Sequence, residues 1–293
     1  MSIPTHPSPN NESTIRNITR KAPRTDTVQF AEVNGLKIPL FSWIDINANE
    51  LCNRSCEFCP RGQDYKNQNL HMDLGLATKI ARELEELEYD GTINICGNGE
   101  PLLHKDIVGL VNCFKNFQVE IVTNGDKLNV ELIKDLYDNG LKYFVVSMYD
   151  GPEQIERNKK LFKEAEIGEN KYILRDRWHP ESEEFGLILT NRAGTMEGKR
   201  NLSTTICHYM HYSMQIDWNG DVLFCVQSIY DKSVIHGNLN DKSMLDVWSS
   251  KKMNDYRKKL GAGNRDHLPC KNCDAMGVIH GKNHLKEWGV NEK

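Results

Sequence analysis

The sequence has no uninterrupted apolar run approaching the ~20 residues of a membrane-crossing helix, which excludes a helical integral membrane protein. It also has no block of positive charge. Lys+Arg 37 stand against Asp+Glu 41, a formal net charge of -4, so bulk electrostatics offers nucleic acid no foothold. Met1 to Asn11 carry prolines, serines and asparagines but no apolar segment, so no secretory leader is expected and the chain reads as cytoplasmic. Nine cysteines in 293 residues are too few for a disulfide scaffold, and the number is odd. In a reducing compartment, thiols that cluster point to metal or redox chemistry. The ten histidines form no HxH or HExxH pattern, which speaks against a histidine-built metal site.

What is present falls into two textures. Residues 1–28 are polar and aperiodic, and read as a flexible N-terminal arm. From Phe41 short apolar runs alternate with amphipathic stretches. Strands are expected at Trp43 to Ile46, Thr92 to Cys96, Val119 to Val122, Tyr143 to Ser147, Tyr172 to Leu174 and Gly186 to Leu189. Between them Leu76, Ile80, Leu84 and Leu87 recur at helical spacing behind Asp73, a candidate N-cap. Ile107, Leu110, Val111 and Phe114 follow the same rule, as do Leu132, Ile133 and Leu136 before a stop at Asn139-Gly140. Alternating strands and helices imply parallel strands joined by crossovers, with ligands at the carboxyl ends of the strands. After Thr195 the pattern changes. Met214 to Asp217 and Val222 to Phe224 flank Asn219-Gly220, a hairpin signal, and short helices follow from Met244 and from Met253. This predicts two units, residues 29–195 and 196–293, the second with a thin core that a metal centre would stabilise.

The cysteines sort into sets of three, four and two. Cys52, Cys56 and Cys59 fall within eight residues just after the first strand. Three thiolates can hold three irons of a [4Fe–4S] cube and leave the fourth iron open, whereas a zinc loop would need a fourth ligand such as His71. Cys207-x17-Cys225, then 44 residues, then Cys270-x2-Cys273 gives four thiolates, enough to close a site around zinc or a second cluster. Spacing alone does not separate those two. Cys96 and Cys113 stand alone, and an isolated buried thiol ordinarily behaves as a small hydrophobe.

The segment Cys52-Asn-Arg-Ser-Cys56-Glu-Phe-Cys59 resembles the CxxxCxφC motif of the radical S-adenosylmethionine (SAM) superfamily, and Gly97-Asn98-Gly99-Glu100-Pro101 resembles its GGEP motif. The resemblance implies a partial (β/α)6 radical SAM barrel, SAM on the open iron, and reductive cleavage to a 5'-deoxyadenosyl radical that abstracts a substrate hydrogen. It further implies that Gly97, Gly99, Glu100 and Pro101 face SAM, Glu100 accepting from its amino group. Phe58 would meet adenine through its backbone, and Thr123, Asn124 and Ser147 would face ribose or methionine. Cys225, His236-Gly237-Asn238-Leu239, Leu245-Asp246-Val247-Trp248 and Cys270-Lys271-Asn272-Cys273 resemble the shortened SPASM, or twitch, domain. That implies a small α+β domain with a β-hairpin and one auxiliary [4Fe–4S] cluster on Cys207, Cys225, Cys270 and Cys273.

Within the superfamily, the seven cysteines and Leu189-Thr190-Asn191-Arg192-Ala193-Gly194 resemble the twitch-containing aminocyclitol dehydrogenases, which makes Arg192 the substrate-binding candidate. Those relatives have tyrosine at Asn98 and glutamate at Gln227, so a neutral sugar or polyol is expected rather than an amino-cyclitol. The expected reaction is oxidation of a carbinol to a ketone, with a flavodoxin- or ferredoxin-like electron donor. Epimerisation is the first alternative, with Cys96 as hydrogen donor; peptide modification, a zinc-stabilised binding module and an electron carrier are the others. Arg175-Asp176-Arg177-Trp178-His179 reads more simply as a solvated loop than as a substrate contact.

Overall fold

The computed structural model describes residues 9–177, 190–197 and 201–289. A helix α1 (Pro9–Thr25) and a ribbon of β1 (Phe30–Val33) and β2 (Leu36–Pro39) come first. Then β3 (Trp43–Ile46), α2 (Leu74–Glu86), β4 (Thr92–Ile95), α3 (Ile107–Cys113), β5 (Gln118–Thr123), α4 (Val130–Asp138), β6 (Leu141–Met148), α5 (Glu153–Glu164) and β7 (Tyr172–Asp176) alternate. The expected strands and helices from Trp43 to Leu174 are thus present; Gly186 to Leu189 lie outside the described residues. Strands β3 and β4 are buried at every position, as a parallel sheet covered on both faces requires. Helix α2 begins where Asp73 accepts a hydrogen bond from the Gly75 amide at 2.8 Å, a cap worth ~1 kcal/mol, and it turns Leu76, Ile80 and Leu84 inward.

The C-terminal part supplies α6 (Tyr209–Tyr212), β8 (Ser213–Ile216), β9 (Asp221–Leu223), β10 (Ile235–Asn238), α7 (Met244–Trp248), α8 (Lys251–Gly261) and α9 (Lys282–Glu287). The expected hairpin is β8–β9, but it does not stand apart. One eight-stranded sheet runs β10-β9-β8-β3-β4-β5-β6-β7, and β8 pairs in parallel with β3, Ile44 opposite Met214. Six strands are parallel, and β9 and β10 are antiparallel additions. The thin separate core expected for the second unit is therefore corrected: Met210, Met214, Trp248 and Leu260 belong to the same buried cluster as Ile44 and Ile93.

Within residues 1–28, read as a flexible arm, the sequence showed no helical period, yet a helix is present. Pro9–Thr25 is helical although its sequence is poor in apolar residues, because tertiary anchors hold it. Arg20 and Lys21 pair with buried Glu120 at 2.7 and 3.1 Å, and the Arg20 guanidinium lies 3.9 Å from the centre of the Tyr143 ring. The ribbon at Asn34-Gly35, both at positive φ, is a hairpin that the same Asn-Gly rule would have found.

Candidate active site

Every strand from β3 to β7 ends at one cavity of about 180 Å³. Its walls carry Cys52, Cys56 and Cys59 after β3, Cys96 to Glu100 after β4, Thr123 and Asn124 at the end of β5, Ser147 on β6, and Arg175 and Arg177 at the end of β7. Phe58 and Arg192 complete it, so of the non-auxiliary candidates only Pro101 does not line the wall. A larger open depression of about 1110 Å³ lies beside Asn191, Asn272 and Cys273, but none of the N-terminal cysteines reaches it.

The three-cysteine loop is tied down by its own neighbours. Asn67 accepts from the Cys52 amide at 2.9 Å and donates to the Cys52 carbonyl at 3.0 Å, while a Cβ on Gly62 would sit 2.4 Å from the Cys56 carbonyl oxygen. Arg54, inside the motif, pairs with Asp126 and Asp150 at 2.6 Å each. Burial, then the charges of the other two thiols, pushes Cys56 up to about 11; burial also raises Cys52. The Cys59 sulfur lies 3.1 Å from the Tyr230 hydroxyl, a contact from the C-terminal part. Phe58 stacks on Tyr149 with ring centres 5.5 Å apart.

Both motif glycines are required by close approach. A Cβ on Gly97 would fall 2.2 Å from Asn47 Oδ1, and one on Gly99 would fall 2.2 Å from the Asn49 carbonyl. Glu100, 3% exposed, accepts from Thr123 Oγ1 at 2.6 Å, the Asn124 amide at 2.8 Å and the Leu102 amide at 3.0 Å. Three of its roughly four acceptor positions are therefore spent, two on the end of β5 and one on its own turn. Burial outweighs those donors and pushes its pKa up to about 7. Asn98 has its amide on Glu50 at 3.0 Å and on Tyr65 Oη at 2.9 Å. Glu50 in turn holds Lys232 at 2.6 Å, and Lys232 also reaches Asp217 at 2.7 Å. Sequence reading missed Glu50, Asn67, Tyr230 and Lys232, whose partners are mostly remote in the chain.

Cys96 sits on the cavity wall, receives Asn94 Nδ2 at 3.0 Å and donates to Asp45 at 3.4 Å. Burial and the Asp45 charge hold its thiol protonated. Cys113 closes α3 on the other side, near Thr78. Arg175 and Arg177, expected in a solvated loop, line the cavity instead, and Arg175 donates to Ser147 Oγ at 2.6 Å. Trp178 and His179 lie outside the described residues.

Arg192 stands at φ 49° and Ala193 at φ 55°, both unfavourable for residues with a Cβ. Asn191 fixes this turn. Its amide donates to Asp274 at 2.7 Å, its side chain donates to the Asn272 carbonyl at 2.6 Å, and its Oδ1 accepts from the Asp274 amide at 3.1 Å. Arg192 is thus built on the Cys270–Cys273 loop.

Cys207, Cys225 and Cys270 are buried. Burial, then the neighbouring thiols of the same set, pushes Cys225 up to about 12 and raises Cys270; burial chiefly pushes Cys273 up to about 11. Arg265, 1% exposed, donates to the carbonyls of Thr205, Ile206, Ala275 and Met276 at 2.7–2.9 Å, clamping the backbones beside Cys207 and Cys273. A Cβ on Gly277 would lie 2.4 Å from the Cys207 sulfur. Among the described residues, no three His, Cys, Asp or Glu side chains gather as a single-ion site. The donor sets do suit clusters: three thiols on one loop against a glycine-lined cavity, and four further thiols, three of them buried and three raised by the others' charges.

A three-cysteine loop and a glycine-rich strand end facing one cavity, with a four-cysteine centre behind, define a class, and the comparisons bear it out. Residues 46–168 match the radical SAM superfamily and residues 207–274 match SPASM, an iron-sulfur cluster-binding domain. The chain belongs to the radical SAM superfamily: it is an oxidoreductase that uses SAM and a [4Fe–4S] cluster, with an auxiliary iron–sulfur cluster in its SPASM region. It is similar to the S-adenosyl-L-methionine-dependent 2-deoxy-scyllo-inosamine dehydrogenase of Niallia circulans, 29% identical over 250 residues, covering 82% of this chain and 95% of that protein. The crystal structure of BtrN in complex with AdoMet and 2-DOIA superposes with a TM-score of 0.71 at 26% identity, covering 84% of this chain and 98% of that one. A tungsten-containing aldehyde ferredoxin oxidoreductase cofactor-modifying protein of Pyrococcus furiosus is 30% identical over 137 residues, 41% of this chain and 38% of that protein. No helix among the described residues is long and apolar enough to cross a membrane.

Proposed function

We propose that this protein is a dehydrogenase of a small sugar-like or cyclitol substrate, oxidising one carbinol carbon to a ketone. Loaded, the two cysteine sets supply one-electron chemistry: cleavage of SAM to methionine and a 5'-deoxyadenosyl radical that takes the carbinol hydrogen, and an acceptor for the electron leaving the substrate with a proton. Residues 29–195 hold SAM on Cys52, Cys56 and Cys59, and residues 196–293 hold a second [4Fe–4S] cluster on Cys207, Cys225, Cys270 and Cys273. Gly97 and Gly99 let the SAM-facing turn lie close on Asn47 and Asn49, Pro101 opens the short turn that follows, and Glu100 holds Thr123 and Asn124 in place and offers its remaining acceptor to the SAM amino group. Phe58 on Tyr149 forms the adenine side, and Ser147 orients Arg175.

The observation that carries this reading is the Arg192 turn. A cavity-lining arginine on a turn that Asn191 hydrogen-bonds to the auxiliary-cysteine loop would put the oxidised carbon and its electron acceptor on one rigid support. An epimerase needs a hydrogen donor in the cavity, and the protonated Cys96 thiol on its wall keeps that second reading open to test. Electrons enter from a flavodoxin- or ferredoxin-like donor in the cytoplasm. Anaerobic reconstitution tests the whole: about eight irons per chain, 5'-deoxyadenosine on reduction, and its loss in Cys56→Ala are expected. Absence of deoxyadenosine from the loaded wild type would sink the proposal.

A further inference from the structure

Of the four arginines that line the catalytic cavity, three, Arg175, Arg177 and Arg192, stand apart from Arg54. The other two guanidiniums nearby are matched: Arg54 by Asp126 and Asp150, Arg61 by Glu50. These three are not. None is in an ion pair with a described residue, and among the described residues no acceptor meets the buried N–H groups Arg175 Nε, Arg177 Nη1 and Arg192 Nε. Arg175 spends one donor on Ser147, and the Arg177 backbone is fixed by its amide on the Met148 carbonyl at 2.8 Å, so the side chain leaves a rigid strand end. Asp176, the last residue of β7, lies between the two in sequence and does not line the cavity. Burial and the neighbouring cations push Arg177 down, and burial pushes Arg175 down. The one carboxylate among the described lining residues is Glu100, committed to Thr123, Asn124 and Leu102.

Gathering three partly buried cations with open donors is costly unless a ligand brings negative charge. SAM brings one carboxylate, sufficient for one guanidinium, together with a positive sulfonium. Two arginines remain. Planar guanidinium forks match the oxygens of phosphate and carboxylate. At Gln227, buried and accepting from Thr190 Oγ1, the chain also has no charge to offer a substrate amine. We propose that the substrate is a sugar or cyclitol carrying an oxyanion substituent, a phosphate ester or a carboxylate, bound by Arg177 and Arg192. The inference rests on the dehydrogenase reading above and replaces the neutral polyol expected from the sequence with an anionic one.

The test is calorimetric titration of the anaerobic, cluster-loaded, SAM-bound protein with inorganic phosphate, glucose 6-phosphate, glucuronate and glucose. Glucose 6-phosphate or glucuronate is expected to bind and glucose is not, with affinity falling as salt rises; the tighter of the two anions identifies phosphate or carboxylate. Arg177→Gln is expected to weaken the anion about tenfold or more while SAM affinity stays within about twofold. Arg177→Lys, which keeps the charge without the fork, should fall between. Unchanged iron content in both variants reports an intact fold. Glucose binding as tightly as the anions, no anion binding, or Arg177→Gln weakening SAM rather than the anion would each overturn the proposal. Deoxyadenosine formation in the same wild-type sample separates the two readings. If it forms without anion binding, only the oxyanion inference fails; if anions bind and none forms, the radical chemistry fails and the anion site stands.

Discussion

Glu100 shows opposed forces on a single carboxyl. Burial pushes it up to about 7, against donors from Asn124, Thr123 and Leu102. An acid whose folded pKa is raised keeps its proton in the native state while the unfolded chain releases it, so its contribution to stability is present below its model value of 4.5 and is lost as pH rises toward 7. Gln mimics the protonated acid, so Tm of the wild type minus Tm of Glu100→Gln should fall between pH 5 and 8, by the equivalent of up to ~3 kcal/mol. A difference that stays flat would show that the internal donors win. Cys96 admits a cleaner decision. Cys96→Ala leaves ketone formation within about twofold if the thiol only packs, whereas an epimerase would lose its product and go on forming deoxyadenosine; chromatography of products with deoxyadenosine counted separates the outcomes. At this scale the sequence was legible wherever the chemistry is local. The cysteine triplet and the two glycines declare themselves by spacing, because their geometry is set within a few residues. Arg177 did not, since an arginine after a strand carries no mark of whether the chain beyond it opens to solvent or closes over a cavity.

Among the elements, the connections that matter most are made by side chains on backbone. The turn at Arg192 holds two non-glycine residues at positive φ because Asn191 bonds three ways to Asn272 and Asp274. Arg265 does the same for the auxiliary pocket with four carbonyls. Arg265→Met leaves those acceptors buried and unpaired, each costing ~1–3 kcal/mol, so the backbones that present Cys207 and Cys273 should separate. Iron is expected to fall from about eight to about four per chain while SAM still binds the first cluster, measured by iron assay and by spectroscopic titration with SAM. Retention of full iron would show that the thiols hold the pocket without the clamp. Helix periods were readable here because α2 and α4 bury one face; of their caps, Asp73 was legible and Asn129 was not. Helix α1 was unreadable for the opposite reason: its stability comes from Arg20 and Lys21 meeting Glu120, a partner 100 residues away from Arg20, and composition does not record it.

For the molecule as a whole, the decisive fact is that the second cysteine unit continues the first unit's sheet through β8 on β3. The boundary near residue 195 marks a change of texture in the sequence, yet packing runs through it, because a parallel strand added to a buried sheet edge buries both partners. The polar counterpart of that seam is Lys232, held at φ 46° with its ammonium between Glu50 and Asp217. Glu50 also holds Asn98 in the SAM-facing turn, so one cation links the two parts at the cavity. Lys232→Met would leave Asp217, 2% exposed, without its cation and Glu50, 3% exposed, with Arg61 alone at 3.4 Å. Breaking a fully buried pair costs ~3–5 kcal/mol; with the lysine itself 27% exposed, about 2–3 kcal/mol is expected, with SAM affinity weakened severalfold as Asn98 loosens. Adding Glu50→Gln to Lys232→Met should restore part of the stability, since a buried charge short of a cation is gone, while SAM affinity should not recover because Glu50→Gln takes the carboxylate acceptor from Asn98. Thermal denaturation of the anaerobic protein and SAM titration read the two effects independently. A double variant less stable than Lys232→Met alone would mean that Glu50 serves Arg61 and Tyr65 more than it serves the seam.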